Sequence, residues 1–221
     1  VRLDLWLPMY RDICREFGYD MDADARNAAA LSAMLSSRHG PTLSALESAC
    51  PSSVTVCGDG PMLRRCLSEH PPEGYVIAAD GATTALMDAG LVPDAIVTDL
   101  DGAVEHQLEA NARGSLVFAH AHGDNARAVE EFVPRFKGTI VGTCQGRPAG
   151  VLLNLGGFTD GDRAACIFSG LGARRIVLMG FDFESPSPKQ SRSAEVKARK
   201  LRWARRILAS LAEQGVTVEG L

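Results

Sequence analysis

The 221-residue sequence predicts an α/β fold: a mostly parallel sheet with flanking helices, preceded by a small helical N-terminal segment. Two observations carry that expectation. From Val54 onward, short runs of β-branched and aliphatic residues alternate with stretches of helical periodicity, the pattern of parallel strands joined by crossover helices. Before that point no strand-like run occurs, and Trp6, Tyr10, Ile13, Cys14 and Phe17 recur at helical intervals. With 46% hydrophobic residues, the chain can bury one sizeable core.

The elements follow in order. Residues 1–50 form the helical segment, its second helix an Asp-led, Ala-rich stretch from Asp22 through Leu35. "HGPTL" at 39–43 and "CPSS" at 50–53 break the pattern, which puts the boundary near Cys50 and assigns 51–221 to the α/β domain. Strands are expected at "VTVC" (54–57), "YVIAA" (75–79), "AIVT" (95–98), "SLVFAH" (115–120), "GTIVG" (138–142) and "RIVLMG" (175–180), with a last short one in "VTVEG". Helices are expected at Pro61–Ser68, Thr83–Ala89, Val104–Arg113, Asn125–Phe136, Thr159–Gly170 and Arg192–Gln214. "ESPSPKQSRS" at 184–193 reads as a loop.

Composition removes several function classes. A net charge of −4 supplies no basic field, so neither nucleic acid nor another polyanion is an expected partner. Six cysteines include no CxxC pair, as expected for buried thiols in a reducing compartment. No run approaches the ~20 apolar residues of a membrane span, and the opening "VRLDLWLPMYRDICREF" carries acids at helical spacing. The expectation is a cytoplasmic protein without membrane attachment.

In an open parallel sheet, ligands bind beyond the carboxyl ends of the strands. There the sequence places acids: Asp80 after "VIAA", Asp99 and Asp101 in "TDLDG", His120, His122 and Asp124 in "HAHGD", and Asp182 after "IVLMGF". Like charges held close together repel, so a cation is expected between them. Carboxylate oxygens without a cysteine or histidine cage suit Mg²⁺, which commonly arrives with phosphate. Asp99 and Asp101 are the expected metal holders, although "DLDG" also makes an Asx-turn closed by Gly102.

Four other stretches bear on the site. In "GGFTDGDRA", Thr159, Asp160 and Asp162 stand at a helix start, where they serve either as caps or as metal ligands beside a phosphate held by the helix N–H groups. "CGDGP" puts Gly58 and Gly60 in a tight turn after the first strand, suited to a nucleotide-contacting backbone or to structure alone. "HAHGDN" admits a zinc reading, but substrate or phosphate contacts from His122, Asp124 and Asn125 are preferred. The basic stretch from Lys189 to Arg206 is an amphipathic helix with a solvated face, from which Lys197 and Lys200 are the choices for a triphosphate if the helix overhangs the acids.

The ordered motifs "GDGP", "AADGA", "TDLDG", "AHGDN", "GGFTDGDRA" and "GFDF" resemble those of the archaeal 6-hydroxymethyl-7,8-dihydropterin diphosphokinases, the MptE-like family, over residues 54–207. More distantly the chain is similar to thiamine pyrophosphokinase, whose acids lie in a D-x-D after a strand and in a D-x-T-D stretch. Asp99 and Asp101 match the former; Phe158, Thr159 and Asp160 keep part of the latter, with Gly157 where its first acid would fall. The resemblance implies a Rossmann-like catalytic domain, ATP as cosubstrate, Mg²⁺ as cofactor, a pterin alcohol as acceptor and AMP as product, in methanopterin- or folate-type cofactor synthesis. It implies Asp99, Asp101, Asp160 and Asp162 around metal, Asp80 with Gly81 against substrate or metal, and Gly58, Gly60, His122, Asp124, Asn125, Thr159, Lys197 and Lys200 around ATP or substrate.

Three other functions fit the same residues: thiamine pyrophosphokinase, a nucleotide-sugar glycosyltransferase using the D-x-D, and a non-enzymatic purine-nucleotide sensor. The N-terminal helices are expected to cover the site or to form a homodimer interface.

Overall fold

A computed structural model describes residues 3–148, 150–183 and 194–221. The expected loop at 184–193, with Lys189 and Arg192, lies outside them. Three helices come first: α1 (Leu3–Phe17), α2 (Met21–Leu35) and α3 (Leu43–Ala49). There follow β1 (Ser53–Cys57), α4 (Leu63–Glu69), β2 (Tyr75–Ala79), α5 (Ala82–Asp88), β3 (Ala95–Thr98), α6 (Val104–Ala112), β4 (Leu116–Ala121), α7 (Ala126–Phe132), β5 (Ile140–Cys144), α8 (Asp160–Leu171), β6 (Arg175–Met179), α9 (Ala194–Glu213) and β7 (Thr217–Glu219).

Every strand pairing is parallel, and the sheet order is β5-β4-β3-β2-β1-β6-β7. The chain winds outward from β1 to β5, then returns to place β6 on the other side of β1. That reversal separates the loops after β1 and β6 and opens a crevice at their carboxyl ends.

Side chains alternate across the sheet and build a core on each face. On one face Val54, Val56, Ile77 and Phe118 pack against Trp6 and Ile13 of α1, Ile167 and Phe168 of α8, and Trp203 and Ile207 of α9. On the other, Ile96, Val117 and Ala119 meet Leu31 of α2, Leu63 of α4, Leu86 of α5 and Val129 of α7. The N-terminal helices thus pack on both faces of the same sheet, and Trp6, Tyr10, Ile13 and Cys14 are buried core residues.

Two expected helices are trimmed. α4 begins at Leu63 rather than Pro61, because Gly60 and the turn after it pass against Gly180. The helix after β4 ends at Phe132, and Pro134 forces a short 3₁₀ turn, Val133–Arg135, in place of its last α-turn.

α9 is fixed to the end of α1. Arg199 donates to the Glu16 carboxylate (3.0 Å) and to its carbonyl (2.7 Å), and the Trp203 indole N–H donates to the same carboxylate (2.7 Å). The basic helix therefore overhangs the carboxyl ends of the strands with Lys197 and Lys200 facing two different cavities.

Candidate active site

The strand ends are shaped by two residues in the left-handed region. Asp80 after β2 has φ 43° and Leu100 after β3 has φ 65°, and they are the only non-glycine residues with positive φ among those described. Such conformations cost roughly 1–3 kcal/mol each and persist where the surroundings enforce them. Here the enforcement is visible. The Leu100 amide donates to Thr98 Oγ1 (2.9 Å), and that hydroxyl donates to Asp80 Oδ1 (2.9 Å), which also accepts from Gln107 Nε2 (2.9 Å). Gly102 is required at the turn because a Cβ there would sit 2.6 Å from the Asp80 carboxylate.

Asp99 is held by two neighbours. Its Oδ1 accepts the Asp101 amide (3.3 Å), and its Oδ2 lies 3.4 Å from His122 Nε2. His122 Nδ1 accepts the Asp124 amide (3.3 Å), which leaves the ring proton on Nε2 facing Asp99. Asp160 arrives from the opposite direction, as the first residue of α8. Gly156 and Gly157, at φ 89° and 100°, turn the chain back so that α8 starts over the sheet, and a Cβ on Gly157 would overlap the Arg163 backbone.

Carboxylate oxygens of Asp80, Asp99 and Asp160 all lie within 4.8 Å of one another. Burial, and then the charges of Asp99 and Asp80, push the Asp160 carboxyl well above the usual range, with the Arg163 guanidinium opposing them only in part. Burial also works to raise Asp99, but the His122 hydrogen bond and charge, with Asp101 and Arg163 behind them, outweigh it and hold Asp99 down at about 2. An ionised carboxylate against one that resists ionising is what three acids do in the absence of a cation.

The acids that the sequence singled out are sorted by this geometry. Asp80, Asp99 and Asp160 converge; Asp101 is exposed and stands outside the group. Asp162 was expected as a metal ligand and is instead a cap. Its oxygens accept the Phe158 amide (2.6 Å), the Thr159 amide (2.8 Å) and the Thr159 hydroxyl, the reciprocal box that starts α8.

Asn125 was expected at the substrate and is buried with its amide fully used. Nδ2 donates to the carbonyls of Asp99 (2.6 Å) and His120 (2.8 Å), while Oδ1 accepts from the His122 amide (3.0 Å) and from Asn27 Nδ2 of α2 (2.8 Å). It fastens the end of β3 to the end of β4. His120 is also interior, with Nδ1 3.0 Å from Thr143 Oγ1, so the "HAH" histidines serve different environments and form no metal pair.

The remaining expected residues line two cavities on either side of the acids. One, at the β1/β6 reversal, is bounded by Gly58, Gly60, Asp80, Gly81, Thr159, Asp160 and Lys197. The N-terminus of α8 opens on it, with N–H groups that the Asp162 box leaves unused. The second, of about 390 Å³, lies under α2 and α9 and is bounded by Asp99, His122, Asp124, Phe158 and Lys200 together with residues not expected at the site: Tyr19, Asp24, Gln145 and Arg163. Asp24 stands in the first turn of α2, and nothing local signals that its Oδ1 accepts the Gly123 amide (2.6 Å) across 99 residues of chain.

The family model described as "6-hydroxymethylpterin diphosphokinase MptE-like" matches residues 29–187. The chain belongs to this family. Among curated MptE-like relatives, the 6-hydroxymethyl-7,8-dihydropterin pyrophosphokinase of Methanothermobacter thermautotrophicus is 42% identical, with 97% of each chain covered. Those of Pyrococcus furiosus (40%, covering 95% of this chain and 94% of that one) and Methanocaldococcus jannaschii (33%, 95% of each) carry the same name. The match to the MptE-like family identifies the chain as an enzyme of the transferase type. A solved MAf glycosyltransferase from Magnetospirillum magneticum is similar at a TM-score of 0.48 and 18% identity; the overlap covers 76% of this chain and about a third (33%) of that one.

No helix among the described residues is long and apolar enough to cross a membrane.

Proposed function

We propose that the protein transfers the diphosphate of ATP to the hydroxymethyl group of 6-hydroxymethyl-7,8-dihydropterin, releasing AMP, and so serves the synthesis of a methanopterin- or folate-type cofactor. The observation that carries this reading is the position of Asp80, Asp99 and Asp160 between two cavities. A displacement at phosphorus needs attacking and leaving oxygens on opposite sides of the transferred group, with charge neutralised between them.

The donor set fits Mg²⁺: carboxylate oxygens only, close enough to share one hard ion, with one carboxyl reluctant to ionise unless a cation is present. Bound there, Mg²⁺ would neutralise charge developing on the phosphate chain. The acceptor oxygen attacks the β-phosphorus, and the bond from that phosphorus to the α,β-bridging oxygen breaks with its electron pair leaving on AMP. The hydroxyl proton passes to solvent, since both nitrogens of His122 are engaged. The chain's own residues orient and neutralise: the three acids would hold the ion to which the phosphate chain binds, and Lys197 and the α8 N-terminus hold the part that leaves.

The purified protein with ATP and Mg²⁺ should form AMP with 6-hydroxymethyl-7,8-dihydropterin and none with thiamine. AMP formed with thiamine alone, or with neither acceptor, would overturn the reading.

A further inference from the structure

We propose that the cavity beneath α2 and α9 is the acceptor-ring subsite, and that Arg163 at its inner end receives the diphosphate of the product; this rests on the function proposed above. Four observations converge on it. Tyr19 and Phe158 form one wall with ring centroids 6.3 Å apart, and Lys200 Nζ stands over both rings, 5.8 and 5.4 Å from the centroids. Such a wall takes the face of a flat heterocycle.

The same lining carries acids. Asp24 is 6% exposed, and its Oδ2 is saturated by the Tyr10 hydroxyl (2.6 Å) and Gln145 Nε2 (2.8 Å), whereas Oδ1 accepts a single amide and keeps a lone pair. Asp124 is exposed at the rim of the same cavity. Carboxylates offer acceptors only, so the ring that fits presents adjacent N–H donors, as the amino group and neighbouring ring N–H of a pterin do. Adenine, whose amino group is flanked by an acceptor nitrogen, matches these acids less well.

Arg163 supplies the third observation. It is 3% exposed, its Nη2 donates to the Phe158 carbonyl (2.8 Å), its Nε is buried with no partner, and it makes no ion pair among the described residues. Asp99 and Asp160 feel its charge without a direct ion pair, so a buried guanidinium beside the cavity keeps an unpartnered N–H for an anionic ligand. The fourth is placement: Asp99 borders this cavity while Asp80 and Asp160 border the other, so a ring here directs its alcohol at the acids from the side opposite the nucleotide.

The test is equilibrium binding of two probes to the full chain: fluorescent 6-hydroxymethylpterin, and the Mg²⁺ complex of α,β-methylene-ATP. Tyr19→Leu and Asp124→Ala should each weaken the pterin roughly tenfold and leave the ATP analogue within about twofold, which also reports that the variant is folded. Lys197→Ala should do the reverse. Wild-type protein that binds the pterin with Tyr19→Leu and Asp124→Ala unchanged, or with losses confined to the ATP analogue, overturns the subsite alone. Wild-type protein that binds no pterin overturns the function and the subsite together.

Discussion

Asp160→Asn isolates the electrostatic argument, because the Asp160 carboxylate makes no hydrogen bond among the described residues that the substitution would break. With its oxygens within 4.8 Å of those of Asp80 and Asp99, each charged pair repels by about 3.5 kcal/mol at an effective dielectric near 20. Two pairs come to about 7 kcal/mol. Keeping a proton on a carboxyl of ordinary pKa near 3.9 costs only about 4 kcal/mol at pH 7, at about 1.4 kcal/mol per pH unit. Protonation is the cheaper escape, so without a cation the folded protein holds a proton that the unfolded chain releases, in keeping with the raised pKa of Asp160. A group raised in this way makes stability fall as pH climbs from about 4 toward its folded pKa. In EDTA at pH 7, Asp160→Asn should therefore be more stable than wild type by about 2–4 kcal/mol, a gain of about 5–10 °C in Tm for a chain of this size. Mg²⁺ should raise the wild-type Tm and leave the variant unmoved, and Mg²⁺-dependent AMP formation should be lost. Differential scanning calorimetry with and without Mg²⁺ reads all of this except turnover. A variant less stable than wild type in EDTA, or one stabilised equally by Mg²⁺, would refute the reasoning.

Two further substitutions test the supports of the site. Asn125→Ala strands the Asp99 and His120 carbonyls, the His122 amide and the Asn27 side chain; at about 1 kcal/mol each it should lower stability by about 3–4 kcal/mol in urea denaturation, and a loss below about 1 kcal/mol would show that Asn125 fastens nothing. Burial, then the charges of Arg163 and His122, drive the His120 pKa well below its usual value. Wild type should consequently lose about 1.4 kcal/mol per pH unit relative to His120→Asn as pH falls below about 6.5, and parallel stability curves for the two proteins would sink that account.

The sheet was legible because parallel strands buried on both faces read as short apolar runs, and six of them, with the crossover helices between, stand where the pattern puts them. Helix ends were less so: the turn at Gly60 and Pro61 is set by its approach to Gly180, far along the chain, and Pro134 breaks to a 3₁₀ turn a stretch that otherwise keeps helical periodicity. The acids after β2 and β3 and at the start of α8 were legible as a group, for the strand-end rule says where to look. Their individual duties were not. Asp160 and Asp162 are two residues apart on one helix start, and the side that each presents depends on the φ of Gly156 and Gly157. Only then does Asp162 turn back to the Phe158 and Thr159 amides while Asp160 meets Asp80.

Local rules are broken where charge is concentrated. Asp80 and Leu100 occupy a conformation that costs free energy, and three carboxylates are held where they repel. A chain selected for stability alone would relax both, by a glycine at 100 and an asparagine at 160. Folding tolerates them because Thr98, Gln107 and Asn125 hold the backbone and Asp80 Oδ1 from outside the cluster, while Asp160, opposed only in part by Arg163, resists ionising. On the function proposed above, a cation entering between the carboxylates would offset the repulsion, so free energy withheld from folding would become affinity for the ligand. That is why the N-terminal helices matter to chemistry at the far end of the sequence. Asn27 holds Asn125, Asn125 holds Asp99, and Asp24 holds the His122 loop. A chain that kept every strand-end acid and lost α2 would keep the charges and lose the geometry that makes them a site.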